Sequence, residues 1–140
     1  MFKLIAPVMP EDDLQASLAQ TLDQLLKPPA MWWAMPIGHI QLTRPQAAKL
    51  TRIGLKRGLP DILVLHGVLH GIELKRPGEG LSRARWVPTR SGGRRFVEGQ
   101  REVFPRLEAA GMKLATCHSV VAVLDQLTAW KIPLRGRIAA

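Results

Sequence analysis

Asp61, Glu73 and Lys75 stand in stretches that are otherwise apolar, Gly58-Leu59-Pro60-Asp61-Ile62-Leu63-Val64-Leu65 and, after His66 to Gly71, Ile72-Glu73-Leu74-Lys75. A buried charge without a partner is costly, so folding alone does not call for charges there. Two carboxylates converging from neighbouring strands repel unless a cation or a proton lies between them. Mg²⁺ is the natural cation, a hard ion that uses one or two carboxylates plus waters and phosphate oxygens. Such an ion polarises a phosphodiester and helps to deprotonate an attacking water. Lys75, on the same face as Glu73, is placed to orient that water or to stabilise a negative transition state. Taken singly, each residue has a plainer reading. Asp61 after Pro60 is then a turn acid, and Glu73 with Lys75 a surface pair on an edge strand.

The elements around the three residues favour convergence. Asp61–Leu65 and Val68–Lys75 read as a β-hairpin about His66-Gly67. A loop of two or three residues sets Asp61 opposite or beside Glu73. The period of two puts Glu73 and Lys75 on one face, with Ile72 and Leu74 on the other, in the core. Upstream, Leu14, Leu18, Leu22, Leu25 and Leu26 recur at helical spacing, giving a helix over Glu11–Leu26 that ends at Lys27-Pro28-Pro29. At ~100° per residue Glu11 projects near the centre of the leucine stripe, with Gln15 close by, while Asp12 and Asp13 point away into solvent. Glu11 is therefore a candidate fourth site residue. The plainer reading is an acid in a first helical turn, where it suits the helix dipole.

Met31–Ile40 reads as a first strand and Pro45–Lys56 as a short basic helix or loop. Val97–Ala110 reads as a helix with Val97, Gln100, Phe104 and Leu107 on one face, a kink or break at Pro105, and Gly111 as its C-terminal stop. Lys113–Cys117 is a short strand, and Ser119 caps a last helix running to Trp130. The order is α-β-β-β-α-β-α, without an internal repeat. One domain spans 1–140, with a core over about 11–130 and a basic tail at 133–140.

The chain has 140 residues, enough for one domain with a core of its own, and 46% of them are hydrophobic. No apolar run approaches the ~20 residues of a membrane span, and the first residues hold too short an apolar run for a signal peptide. A single cysteine, Cys117, excludes an internal disulfide and fits a reducing, cytoplasmic setting as a buried inert thiol. Twenty Lys+Arg against eleven Asp+Glu, a net charge of +9, point to a polyanionic partner, nucleic acid before membrane.

That charge is concentrated. Arg83, Arg85, Arg90, Arg94, Arg95 and Arg101 face a single acid, Glu98, with Trp86 among them and a flexible turn at Ser91-Gly92-Gly93. The segment 82–99 reads as a mobile basic arm that grips phosphates and stacks on a base. A solvated loop is the rival reading. Lys56 and Arg57 form a further basic turn suited to a DNA backbone. Other signals are weaker. His66 and His70, four apart, do not converge on a hairpin and read as loop histidines. Gly54–Gly58 lacks the spacing and Lys-Ser/Thr of a P-loop. Cys117 and His118 point to opposite faces, so no nucleophile emerges.

Pro60-Asp61, then Glu73-Leu74-Lys75, resembles the PD-(D/E)xK nuclease signature. Glu11-x-x-Leu14-Gln15, Gly58-Leu59-Pro60-Asp61, Gly71-Ile72-Glu73-Leu74-Lys75 and Gln100 narrow the resemblance to the small stand-alone VRR-NUC domains of phages and bacteria, over roughly Glu11 to Trp130. The resemblance implies a restriction-endonuclease-like core, a mixed sheet flanked by helices. It implies Mg²⁺- or Mn²⁺-dependent phosphodiester cleavage, with Asp61 and Glu73 as metal ligands, Lys75 as catalytic lysine, and Glu11 (a possible further ligand) and Gln100 as supporting residues. It also implies a homodimer acting on branched or structured DNA in replication, repair or recombination. The chain departs from compact relatives by the inserted arm, and at Gly38-His39, where Asn-Gly would be expected.

The combined expectation is a metal-dependent DNA endonuclease whose Lys56, Arg57, Arg83, Arg85, Arg90, Arg94 and Arg95 grip backbone without reading sequence. A catalytically inactive binding module is the rival from another class. It would have no use for paired acids that repel phosphate. A sequence-specific restriction enzyme is a third reading, for which the chain leaves little room.

Overall fold

The computed structural model describes residues 11–136, except the side chains of Glu11, Ile37 and Gly38. Helix α1 spans Glu11–Leu25. Its Leu14, Leu18 and Leu22, with Leu26 just beyond, are buried at every fourth position. Full burial of a leucine side chain contributes about 1.5–3 kcal/mol, so this stripe fixes which way the helix faces. It packs with Val123, Leu124 and Leu127 of α4 (Val120–Ala129) against Ile62, Val64, Ile72 and Leu74 of the sheet.

The sheet has four strands in the order β1-β2-β3-β6, formed by Met31–Ala34, Ile62–His66, Val68–Leu74 and Lys113–Cys117. β1 with β2 and β2 with β3 are antiparallel, and β3 with β6 is parallel, so the sheet is mixed. The expected α/β class, a mixed sheet flanked by helices, holds. Strand β1 is shorter than the expected Met31–Ile40. The ladder extends by one bond, Met35 N to the Asp61 carbonyl at 2.7 Å. Pro36 then has no N–H to offer, and the chain turns through a 3₁₀ helix, Pro36–His39. The basic stretch that follows is a helix, α2 (Arg44–Arg52), started by a reciprocal cap between Thr43 and Gln46.

The β2–β3 turn is tighter than two residues. His66 pairs with Val68 across Gly67 alone, which takes φ +71°. The register runs Ile62↔Ile72, so Asp61 comes level with Glu73 one step further on. Ile72 and Leu74 are buried on the α1/α4 side, as their alternation requires. His66 and His70, expected in a loop, are both strand residues, the first ending β2 and the second within β3. His70 is buried, with its ring 4.8 Å from that of Trp130.

The parallel β3–β6 connection carries the segment expected as a mobile arm. It folds instead as a separate two-stranded antiparallel ribbon, β4 (Arg85–Pro88) and β5 (Arg94–Val97). The next helix, α3, is Gln100–Ala109, three residues shorter at its start than expected. Val97 is spoken for by its pairing with Arg85. Gly99 is the extended N-cap, its N–H donating to the Glu102 carboxylate at 2.8 Å. α3 continues through Pro105 without a break, and Gly111, at φ +108°, follows its end as expected.

Candidate functional site

Three elements bring the site together. Asp61 immediately precedes β2, Glu73 lies near the end of β3 with Lys75 just beyond it, and Gln100 is the first residue of α3. Asp61 is anchored by the backbone, since Leu74 N–H donates to its Oδ2 at 2.8 Å. Glu73 is 3% exposed. Its Oε1 accepts from Gln100 Nε2 at 2.6 Å and lies 3.3 Å from Lys75 Nζ. Its other oxygen, Oε2, is buried and has no hydrogen-bond partner among the described residues. Burial, then the charge of Asp61, pushes the Glu73 carboxyl up to about 7, while the Gln100 and Lys75 contacts pull the other way.

Gln100 faces two ways. While Nε2 holds Glu73, Oε1 accepts from Ser82 N at 3.2 Å, and the Gln100 N–H donates to Ser82 Oγ at 3.0 Å. The stem of the ribbon is thus tied to the acids. Glu102 adds a bond from Ala84 N at 3.3 Å. The backbones meet so closely that a Cβ on Gly99 would lie 2.5 Å from the Ser82 carbonyl oxygen. Lys75 is steadied through its main chain, its N–H donating to the Cys117 carbonyl at 3.0 Å and its own carbonyl meeting His118 Nδ1 at 2.7 Å.

Asp61, Glu73 and Gln100 open onto a cleft of about 870 Å³. Ala47 and Thr51 of α2, the basic turn Lys56-Arg57, and Arg85 with Val97 of the ribbon also line it. Of the basic residues expected to grip a polyanion, Lys56, Arg57 and Arg85 therefore sit at the cleft. Arg83, Arg90, Arg94 and Arg95 are exposed but do not line it. The Glu11 side chain lies outside the described residues.

His39 belongs to the site although sequence reasoning assigned it no role. Its Nε2 is 3.6 Å from Asp61 Oδ1, the carboxylate oxygen that Leu74 leaves open, and its Nδ1 contacts Asp12 Oδ1. Burial lowers the His39 pKa, but the bond to Asp12 and the charges of Asp61 and Asp12 outweigh it, and the net shift is upward. Asp12 is solvated, as its helical phase implies, yet it also partners His39. No spacing rule points to this contact, because it depends on the turn that Pro36 starts. Cys117 is buried, and burial raises its thiol pKa, in keeping with an inert role.

The donor set suits a hard cation. Glu73 Oε2 is a buried carboxylate oxygen with no hydrogen-bond partner among the described residues, and Asp61, level with Glu73 in the register, has its Oδ1 turned to His39 rather than to the backbone. No group of three or more His, Cys, Asp or Glu side chains gathers as a metal cage among the described residues. Two carboxylates are what Mg²⁺ commonly takes from a protein when waters and substrate oxygens fill the remaining positions. Among the described residues no helix is long and apolar enough to cross a membrane. No protein-family model, curated protein or solved structure matches the chain.

Proposed function

We propose that this protein is a metal-dependent DNA endonuclease with a restriction-endonuclease-like core of the VRR-NUC kind. One observation carries the reading: the partnerless buried Oε2 of Glu73, on a carboxylate gripped by Lys75 and Gln100 beside Asp61, at a cleft with arginine and lysine in its lining. Asp61 and Glu73 would hold Mg²⁺ or Mn²⁺, with Glu11 as a further ligand. When bound, the ion supplies polarisation of the phosphodiester and a more acidic water.

The chain's own residues do the rest. Lys56, Arg57 and Arg85 bind backbone phosphates and draw DNA into a cleft whose acids would otherwise repel it. Leu74 N–H fixes Asp61, and Gln100 fixes Glu73, so both carboxylates are set before substrate arrives. Lys75 does not itself line the cleft, but its Nζ, 3.3 Å from Glu73, would bring a positive charge to orient a water or to stabilise the crowded phosphate of the transition state. A homodimer is part of the proposal, since cutting two strands takes two such clefts. The exposed Met31, Trp33 and Leu65 on β1 and β2 offer a surface for a second copy.

The test is Asp61→Asn, which keeps an acceptor for Leu74 N–H. The variant is expected to melt like the wild type and to lose Mg²⁺-dependent nicking of plasmid DNA. Full activity in D61N, or in excess EDTA, would sink the proposal. DNA binding by a wild type that never cuts would point instead to an inactive binding module.

A further inference from the structure

The β4–β5 ribbon has two unlike faces. In the register Arg85↔Val97, Trp86↔Phe96, Val87↔Arg95 and Pro88↔Arg94, alternate rungs project to opposite sides. Arg85 and Val97 line the cleft. One step along, ~3.3 Å away and on the other side, lie Trp86 and Phe96. These two aromatics are 62% and 51% exposed, with ring centroids 5.3 Å apart at 62°. Arg94 shares their face by alternation, Arg90 sits in the turn, and no acid occurs from Arg83 through Val97.

A cross-strand aromatic pair helps to hold a ribbon together, by about 0.2–1 kcal/mol. That does not account for leaving more than half of a tryptophan in water among like charges. An exposed tryptophan face with Arg94 on the same side of the ribbon and Arg90 in its turn matches one chemistry well, a nucleobase stacked on the ring with its phosphates held by the cations.

We propose that the Trp86–Phe96 face is a stacking platform for an unpaired base, so that the preferred substrate has a paired–unpaired boundary at the cleft. The ribbon then stands at the branch, with Arg85 toward the phosphates of the strand in the cleft and Trp86 against the first base of the strand that leaves it. This rests on the reading of the cleft as a DNA site, but not on cleavage.

The experiment is binding in EDTA, by fluorescence anisotropy, of a blunt duplex and of the same duplex carrying a single-stranded thymidine tail. The wild type is expected to favour the tailed DNA by about tenfold, the scale of one stacked base. W86A and W86L should bring that ratio close to one, and W86F should keep most of it. Leucine preserves apolar packing on Phe96 without a π face, so loss in W86L with an unchanged thermal melt separates stacking from folding. A wild-type ratio in W86L, or a loss that follows melting temperature rather than aromaticity, overturns the proposal. A Trp86-dependent preference in a protein that leaves DNA intact in Mg²⁺ sinks the nuclease reading and supports this one. Cutting without such a preference does the reverse.

Discussion

Gln100 donates its side-chain amide to Glu73 at 2.6 Å, joining the first residue of α3 to a strand 27 positions earlier. The same side chain accepts from Ser82. It therefore couples the orientation of a buried acid to the base of the basic ribbon. Residues that orient a metal ligand commonly matter by 10–100-fold. Gln100→Ala is expected to lower the nicking rate by about that factor and to raise the Mg²⁺ concentration for half-maximal rate. Metal titration of plasmid nicking checks both. Wild-type values would show that Lys75 alone suffices to place Glu73.

The Glu73 carboxyl, raised to about 7 from an ordinary 4.5, makes the metal-free fold sensitive to pH. The protonated form is the one the fold favours. Its stabilising effect is complete below the unfolded value and is lost as pH rises through about 7. Glu73→Gln removes that dependence and the buried charge together. In EDTA at pH 8, E73Q is expected to be more stable than the wild type by about 1–3 kcal/mol. Denaturant melts at pH 5 and pH 8 read this directly. Mg²⁺ should stabilise the wild type and not E73Q.

His70 works in the opposite sense. Burial against Trp130 lowers its pKa below 6.5. A neutral imidazole is favoured, so its contribution is present above 6.5 and is lost as pH falls through the folded value. In the E73Q background, where the opposing carboxyl is gone, His70→Phe should narrow the gap between melting temperatures at pH 7 and pH 5. His70 does not line the cleft, so an H70F variant of the native chain should nick DNA as the wild type does.

What sequence made legible, and what it did not, divides along physical lines. The leucine stripe of α1 and the Asp61–Glu73 alignment follow from periods of 3.6 and 2, which side-chain burial enforces. The ribbon leaves no strand signature in the sequence because its apolar residues come as adjacent pairs, Trp86-Val87 and Phe96-Val97, and show no alternation along four-residue strands. Val97 then counted toward a helical phase that starts only at Gln100. His39 reaches Asp61 through a turn set by one missing N–H, at Pro36, and no periodicity carries that information. Asp61, Glu73, Lys75 and Gln100 do converge, while the side chain of Glu11 lies outside the described residues.

Gly99 is where ribbon, helix and site meet most tightly. A Cβ there would lie 2.4 Å from the Arg83 carbonyl carbon and 2.5 Å from the Ser82 oxygen, both backbone atoms that cannot swing aside. Gly99→Ala must therefore push the ribbon's stem away from α3, at about 1–3 kcal/mol, the scale of overpacking a filled site. The displacement would strain both Ser82 bonds to Gln100 and, through Gln100, the grip on Glu73. G99A should therefore lose activity well below its melting temperature, where the fold itself is intact. Gly80→Ala is the control, since its Cβ would meet only the mobile end of Arg101 at 3.4 Å. Nicking rates and thermal melts of the two variants check the point. Equal, wild-type-like rates in both would mean that the stem can shift without disturbing Glu73.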